Sequence, residues 1–291
     1  PLAFVSLSED QKTWSQTNFR VNLDWTPNDN TLVYGYVTTG YRSGGYGLGI
    51  LDARAGTLGT PISVLSYDKE TVTAYELGYK GTLFDGTLQL FSAIYTYQYD
   101  DYQDQVDVYD PVQGGSRDIP VNTGETSNSG IEIEGTWLAT NALTINANYS
   151  YTKTEYKDDV ILLEDENHLA PRPLFGGTSF NINGNSLKGI PEHKFTAWGA
   201  YEWILSDDSS LVLNAAYSFT GEYNTDSIER DYDKMPERDR IDLGLTWRSA
   251  DNRSRIRFFV DNVTDEVSFW DFGQANHESN FRLYGNMLPQ R

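Results

Sequence analysis

The 291-residue sequence predicts an all-β fold, an antiparallel transmembrane β-barrel, and three observations carry that expectation. Apolar and polar residues alternate with period 2 from end to end, so each strand has one greasy face and one wet face. The connections alternate short and long, which puts tight turns at one end of the sheet and long loops at the other. No run of apolar residues exceeds four (Leu2–Val5, Val160–Leu163), whereas a spanning helix needs roughly 20.

The strands follow in order. In 12–25, Phe19, Val21, Leu23 and Trp25 oppose Arg20, Asn22 and Asp24; a turn at 26–30 leads to a strand at 31–41. In 70–82, Tyr75, Leu77 and Tyr79 oppose Glu76 and Lys80, and Leu-Phe-Asp-Gly (83–86) turns into 87–103. In 128–139, Ile131 and Ile133 oppose Glu132 and Glu134, and Thr140-Asn141 turns into 142–156. There Leu143, Ile145, Ala147, Tyr149 and Tyr151 oppose Thr144, Asn146, Asn148 and Ser150. Strands at 191–205 and 211–223 meet at 206–210, and 238–249 meets 254–265 at 250–253. The turns are rich in Asn, Asp, Gly, Ser and Pro, residues that initiate turns by side-chain hydrogen bonding or a preset φ. The stretches 42–69, 104–127, 157–190 and 224–237 are long and polar. A partial strand at Leu2–Ser8 would make eleven.

Composition narrows the classes. With no Cys, disulfides and Cys-based zinc or iron–sulfur sites are excluded. Lys+Arg 22 against Asp+Glu 42 gives a net charge of −20, which argues against nucleic acid as a partner. The mean hydropathy of −0.53 looks soluble, but only alternate residues of a barrel strand meet lipid. The 20 Tyr, 13 Phe and 7 Trp suit interfacial belts, and Trp25, Trp137, Trp203 and Trp247 all fall beside short turns. A soluble sandwich or β-sheet binding module is the rival, but its strands are shorter and its loops do not segregate by length.

The wet face carries Arg20, Asp24, Glu76, Lys80, Glu132, Glu134, Arg240, Asp242, Arg248, Arg255, Arg257 and Asp261 among mostly small residues. That mixture suits a wide lumen, and an exposed solvated sheet face has the same composition.

Four strings resemble TonB-dependent outer-membrane receptors of the iron-complex branch. They are Tyr-Arg-Ser-Gly-Gly-Tyr (41–46), Ala-Tyr-Glu-Leu-Gly-Tyr-Lys-Gly-Thr-Leu-Phe-Asp-Gly (74–86), Ser-Gly-Ile-Glu-Ile-Glu-Gly (129–135) and Val-Asp-Asn-Val-Thr-Asp-Glu (260–266). The resemblance implies a roughly 22-strand barrel holding an N-terminal plug. Residues 1–291 are then one barrel-domain fragment, the C-terminal half, with the plug, the first barrel half and the last strand lying outside this chain. The implied function is TonB-energised uptake of a scarce metal chelate of ferric-siderophore type into the periplasm. Oligosaccharide or cobalamin uptake is an alternative, as is a stand-alone ten-strand outer-membrane protease, lipase or porin. The implied partners are the TonB–ExbB–ExbD complex, acting through the missing N-terminal region, together with outer-membrane lipid and lipopolysaccharide. No catalysis and no cofactor are expected.

By resemblance, Arg42 and Tyr46 are substrate-binding candidates, since an anionic ferric chelate is attracted by Arg and stacked by Tyr. Tyr102, Tyr109, Arg117 and Phe175 are candidates by loop position only; belt anchoring or loop self-packing is the stronger reading for each. Acidic residues cluster at Asp100, Asp101, Asp104, Asp107 and Asp110, and again at Asp158, Asp159, Glu164, Asp165 and Glu166. Without EF-hand spacing they read as solvated acid loops rather than a calcium or lipid-phosphate bridge. Of His168, His193 and His277 none has metal spacing, and no Ser sits in a nucleophile elbow; His168 beside Asp165 is the lone enzymatic candidate.

Overall fold

A computed structural model of the chain describes residues 11–46, 66–110, 115–164, 178–231, 234–267, 269–273 and 283–286. Ten strands form the wall: β1 (Arg20–Asn28), β2 (Thr31–Arg42), β3 (Glu70–Leu83), β4 (Leu88–Asp100) and β5 (Thr126–Leu138), then β6 (Leu143–Tyr156), β7 (His193–Ile204), β8 (Ser210–Thr220), β9 (Arg238–Arg248) and β10 (Arg255–Val260). They join in sequence order into one sheet, each antiparallel to the next. All ten expected strands are present. The first begins at Arg20 rather than 12 and the last ends at Val260 rather than 265. The expected partial strand at Leu2–Ser8 lies outside the described residues.

Directly opposed residues share a face, so the registers give continuous rows across the sheet. Leu77, Ile94, Ile131 and Tyr151 form one outward row. Trp203, Leu211, Trp247 and Ile256 form another. Much of this face is uncovered among the described residues: Leu23 is 74% exposed and Phe258 70%. A contiguous apolar face of this size is stable only against lipid or a partner surface. Trp25, Trp137, Trp203 and Trp247 all lie on it at the short-turn end, as a girdle requires. At the opposite end Tyr149, Tyr151 and His193 close the band, with the Tyr149 hydroxyl 2.9 Å from His193 Nδ1. His193 is therefore a belt residue, whereas His168 and His277 lie outside the described residues.

Short turns follow local chemistry. Phe84 and Asp85 both have positive φ (51° and 53°), and the Gly86 N–H donates to Leu83 O at 3.2 Å, a tight turn whose hand matches strand twist. At the β7–β8 turn the Asp207 carboxylate accepts the Ser209 hydroxyl and N–H, which holds it below the usual carboxylate range.

The long connections are built rather than irregular. Each carries a hairpin: Gly45–Tyr46 with Ser66–Tyr67, Gln103–Asp110 with Gly115–Asn122, Ile161–Glu164 with Thr178–Asn181, and Tyr223–Asn224 with Lys234–Met235. Past β10, Phe269–Gly273 pairs with Leu283–Asn286. The sheet does not close on itself among the described residues: β1 and β10 are its two ends.

Candidate functional site

Two surfaces carry the polar side chains that a ligand would need: the polar face of the wall and the long-loop rim above it. Arg42 ends β2 on the polar face, directly opposite Glu70. Glu70 is nearly buried, and its Oε2 accepts the Gln103 N–H at 2.7 Å. The Gln103 amide donates to the carbonyls of Ser43 (3.0 Å) and Asp68 (2.9 Å), fastening the β4–β5 loop to the β2–β3 ends. Tyr102 stands edge-on to Tyr99 and Tyr156 at 5.6 and 6.4 Å. Burial, then the Asp104 and Glu70 carboxylates, push its hydroxyl up to about 12, while Arg42 pulls it down. Arg42 and Tyr102, read separately in the sequence, are therefore brought to the same carboxylate, Glu70.

Tyr46 pairs with Ser66 in the first loop hairpin. Of the glycines before it, Gly44 is a steric necessity because it faces backbone, whereas Gly45 faces only the movable end of the Tyr67 side chain. A Cβ on Gly44 would lie 2.3 Å from Tyr67 O, and one on Gly45 2.6 Å from the Tyr67 hydroxyl. Tyr109 and Arg117 face Ser116 and Val108 in the second loop hairpin, so their backbones sit near its tip; their side chains lie outside the described residues. Phe175 lies outside the described residues altogether.

The rim has its own core. Tyr156, Ile182 and Leu187 are buried together, with Tyr102, Val160, Ile190 and Ile228 against them. Inside it, Asp104 Oδ2 accepts the Tyr156 hydroxyl (2.7 Å) and the Ser227 hydroxyl (3.2 Å), and Asp104 Oδ1 pairs with Lys188 at 3.0 Å. This corrects the solvated acid-loop reading for Asp104, which is 8% exposed. A buried carboxylate persists where hydroxyls and an ammonium satisfy it. Asp159 keeps the solvated character and accepts Asn181 and Asn183 at 2.9 and 3.0 Å, which depresses its pKa. Among the described residues no group of three or more His, Asp or Glu could hold a metal ion.

The polar face departs from the expected small residues. Tyr34 and Tyr36 both donate to Glu76, at 2.7 and 2.6 Å. Tyr95 and Tyr97 stack at 5.0 Å, Arg20 lies 4.2 Å over the Tyr36 ring, and Lys80 sits between Tyr34 and Phe91. Gly78 makes the cluster possible, because a Cβ there would lie 2.2 Å from the Tyr34 ring. Nearer the short turns a groove of about 950 Å³ is lined by Asn28, Leu32, Lys80, Gln89, Phe91 and Glu134, among others. Aromatic rings can appear on either face of an alternating strand, so period 2 alone could not place these tyrosines.

An outward apolar face bounded by a tryptophan girdle, a wet inner face and long packed loops at one end define a segment of a transmembrane β-barrel wall. The chain belongs to the TonB dependent receptor-like, beta-barrel family, matched over residues 4–263. It is 29% identical over 159 residues to the ferric-pyoverdine M114 receptor PbuA of Pseudomonas sp. strain M114, covering 54% of this chain and 16% of that one. Its fold is similar to the ferric yersiniabactin uptake receptor FyuA from Yersinia pestis: TM-score 0.62, 18% identity, 88% of this chain and 34% of that one. It is likewise similar to the siderophore receptor PiuA from Acinetobacter baumannii: TM-score 0.61, 18% identity, 87% and 32% coverage. The chain therefore spans about a third of those receptors, and the ten strands fit the C-terminal half of such a barrel. The family consists of outer-membrane transport receptors, not enzymes, which removes the protease and lipase alternatives.

Proposed function

We propose that this chain forms the C-terminal half of the barrel of an outer-membrane receptor for a ferric chelate of siderophore type, with uptake into the periplasm energised by TonB. The single observation that carries the reading is that Arg42 and the half-buried aromatic Tyr102 stand at one carboxylate of the long-loop mouth: Arg42 lies opposite Glu70, and Tyr102 adjoins Gln103, whose N–H Glu70 accepts. A guanidinium beside phenol rings suits an anionic, ring-bearing chelate. The names of the similar receptors, PbuA for ferric pyoverdine and FyuA for ferric yersiniabactin, support the cargo class.

In this reading β1 and β10 are completed by further strands of a longer polypeptide. Open sheet edges do not survive in hydrocarbon, where unpaired backbone has no water to bond. A plug fills the lumen, and TonB with ExbB and ExbD acts on it. Lipid and lipopolysaccharide surround the apolar face.

The test is growth of a strain lacking the full-length receptor, complemented with wild type or Arg42→Ala, under iron limitation. Ferric pyoverdine, ferric yersiniabactin, ferric citrate, cobalamin and maltodextrin are supplied singly. The expected result is a defect on one ferric chelate, restored by wild type and weakened by Arg42→Ala. A defect confined to cobalamin or maltodextrin, or none at all, overturns the reading.

A further inference from the structure

Tyrosines on one part of the inner face surround a single carboxylate. The registers of β2, β3 and β4 place Tyr36, Glu76 and Tyr95 in one row. The next row toward the short turns carries Tyr34, Gly78, Ala93 and, on β5, Glu132. The next toward the long loops carries Thr38, Ala74, Tyr97 and Asn128. Large rings therefore stand around a floor of Ala74, Gly78 and Ala93, and the two alanines are only 8% and 4% exposed. The Tyr34 hydroxyl donates to Glu76 Oε1 at 2.7 Å, and the Tyr36 hydroxyl to Oε2 at 2.6 Å. Tyr95 is committed elsewhere, its hydroxyl lying 3.0 Å from Thr152 Oγ1. On a wet face a tyrosine can keep its hydroxyl in water, so nothing in the sheet demands that two converge on one carboxylate.

The convergence makes a chelating group of hard oxygens. Each Glu76 oxygen has a phenol oxygen beside it, so an ion seated against both carboxylate oxygens meets both phenols. Adjacent ligands of an octahedral ion at about 2.0–2.1 Å stand about 2.8–3.0 Å apart. The observed 2.7 and 2.6 Å need only a small widening. The remaining coordination positions open on the lumen, where Glu132 stands in the Tyr34 row.

The donor chemistry selects the ion. A phenol must lose its proton to ligate, which favours a cation of high charge. Oxygen donors without thiolate or imidazole suit hard ions, and tyrosinate is a known ligand of haem iron. Arg20 lies 4.2 Å over the Tyr36 ring and Lys80 5.4 Å over the Tyr34 ring. A phenolate formed at either ring then has a cation beside it.

We propose that Tyr34, Tyr36 and Glu76 form a binding site for a hard trivalent cation, ferric iron, on the inner wall. Binding exchanges the two phenol protons, which leave to water, for two iron–oxygen bonds, while the carboxylate chelates through both oxygens; no electron is transferred. The site takes the metal ion itself rather than an organic chelate, so it is separate from the Arg42 and Tyr102 rim. Its donors are chiefly phenols, unlike the His, Asp and Glu groups that are absent among the described residues.

The test uses the full-length receptor purified in detergent, with heat-modifiable migration as the check that the wall is intact. Ferric nitrilotriacetate is the probe, and the readout is a visible phenolate-to-iron charge-transfer band with tyrosinate modes in the resonance Raman spectrum. Wild type is expected to show both, saturating at one iron per chain. Tyr34→Phe/Tyr36→Phe is expected to lose them. Glu76→Gln is expected to loosen iron by about tenfold or more, no less than loss of an outer-shell partner does. Tyr95→Phe is expected to keep the band, since its hydroxyl belongs to Thr152. Excess gallium(III) should erase the band, and excess calcium should leave it. No band in wild type, a band surviving in the double phenylalanine variant, or displacement by calcium overturns the proposal. A band without chelate-dependent growth overturns only the cargo reading above; chelate-dependent growth without a band overturns only the metal site.

Discussion

Tyr156 donates its hydroxyl to the Asp104 carboxylate at 2.7 Å, joining residues 52 positions apart beneath the loop rim. Because Asp104 also takes Ser227 and Lys188, this contact ties together the connections that follow β4, β6 and β8. The described parts of those loops form one packed body.

Tyr156→Phe removes one hydrogen bond to a charged acceptor, worth about 1.5–3 kcal/mol. Asp104→Ala is worse, because it removes the charged acceptor of two hydroxyls and the Lys188 ion pair together, leaving Tyr156 and Ser227 only each other and Lys188 only the Gln105 carbonyl. Hydrogen exchange is expected to quicken together in the β4–β5, β6–β7 and β8–β9 loops of either variant. The wall strands should keep their protection. Quickening confined to one loop would show that the three are independent.

The assignment of faces makes a sharper prediction from two adjacent residues. Ala147 lies between Gly135 and Ala197 on the outward face, while Asn148 lies between Glu134 and Thr196 on the inward face. Ala147→Arg should destabilise the barrel by about 2–4 kcal/mol, the depth-dependent cost of a cation in hydrocarbon. Asn148→Arg should cost far less, since it meets the lumen and the Glu134 carboxylate. Urea unfolding of the full-length receptor in lipid vesicles reads the difference.

The wall was legible because period 2 survives in strands such as β6, where the outward residues through Tyr151 are apolar or aromatic and the inward residues through Ser150 are small and polar. The turn and loop lengths then fixed which end was which. The rim was not legible, since its core is assembled from Tyr156, Ile182 and Leu187 together with Tyr102, residues spread over more than eighty positions. No local pattern announces that Asp104 is buried while Asp159 is solvated. The tyrosine cluster around Glu76 was missed for another reason: a Tyr counts as apolar in an alternation pattern, yet its hydroxyl suits a wet face equally well. Of the loop-position candidates, Tyr102 has a place that fits either loop packing or a cargo-facing wall, and sequence position could not separate the two.

Gly78→Ala should disconnect the Tyr34–Glu76 bond without unfolding the wall. The added Cβ would lie 2.2 Å from the end of the Tyr34 ring, a mobile group that can swing aside. The cost is then the hydrogen bond it abandons, about 1.5–3 kcal/mol, rather than a backbone clash. Tyr34→Phe should cost a similar amount, and the double variant no more than either alone. Additive losses in vesicle unfolding would show that Gly78 acts elsewhere.

Tyr102 lies outside the membrane-spanning strands and makes the rim sensitive to alkaline pH. Its hydroxyl is raised from an ordinary value of 10.0 to about 12, chiefly because burial and Asp104 penalise the phenolate. An acid whose folded pKa is raised holds its proton more tightly when folded. Its stabilising contribution is complete below pH 10 and is lost as pH rises towards 12. The rim should therefore loosen in that window, while the wall is held by its continuous ladder of backbone hydrogen bonds. Protease nicking between residues 101 and 125, followed from pH 9 to 12 in the full-length receptor, measures the effect. Tyr102→Phe should flatten that rise, since it removes the proton whose loss drives it. If nicking in Tyr102→Phe climbs as steeply as in wild type, the phenolate responsible lies elsewhere in the rim.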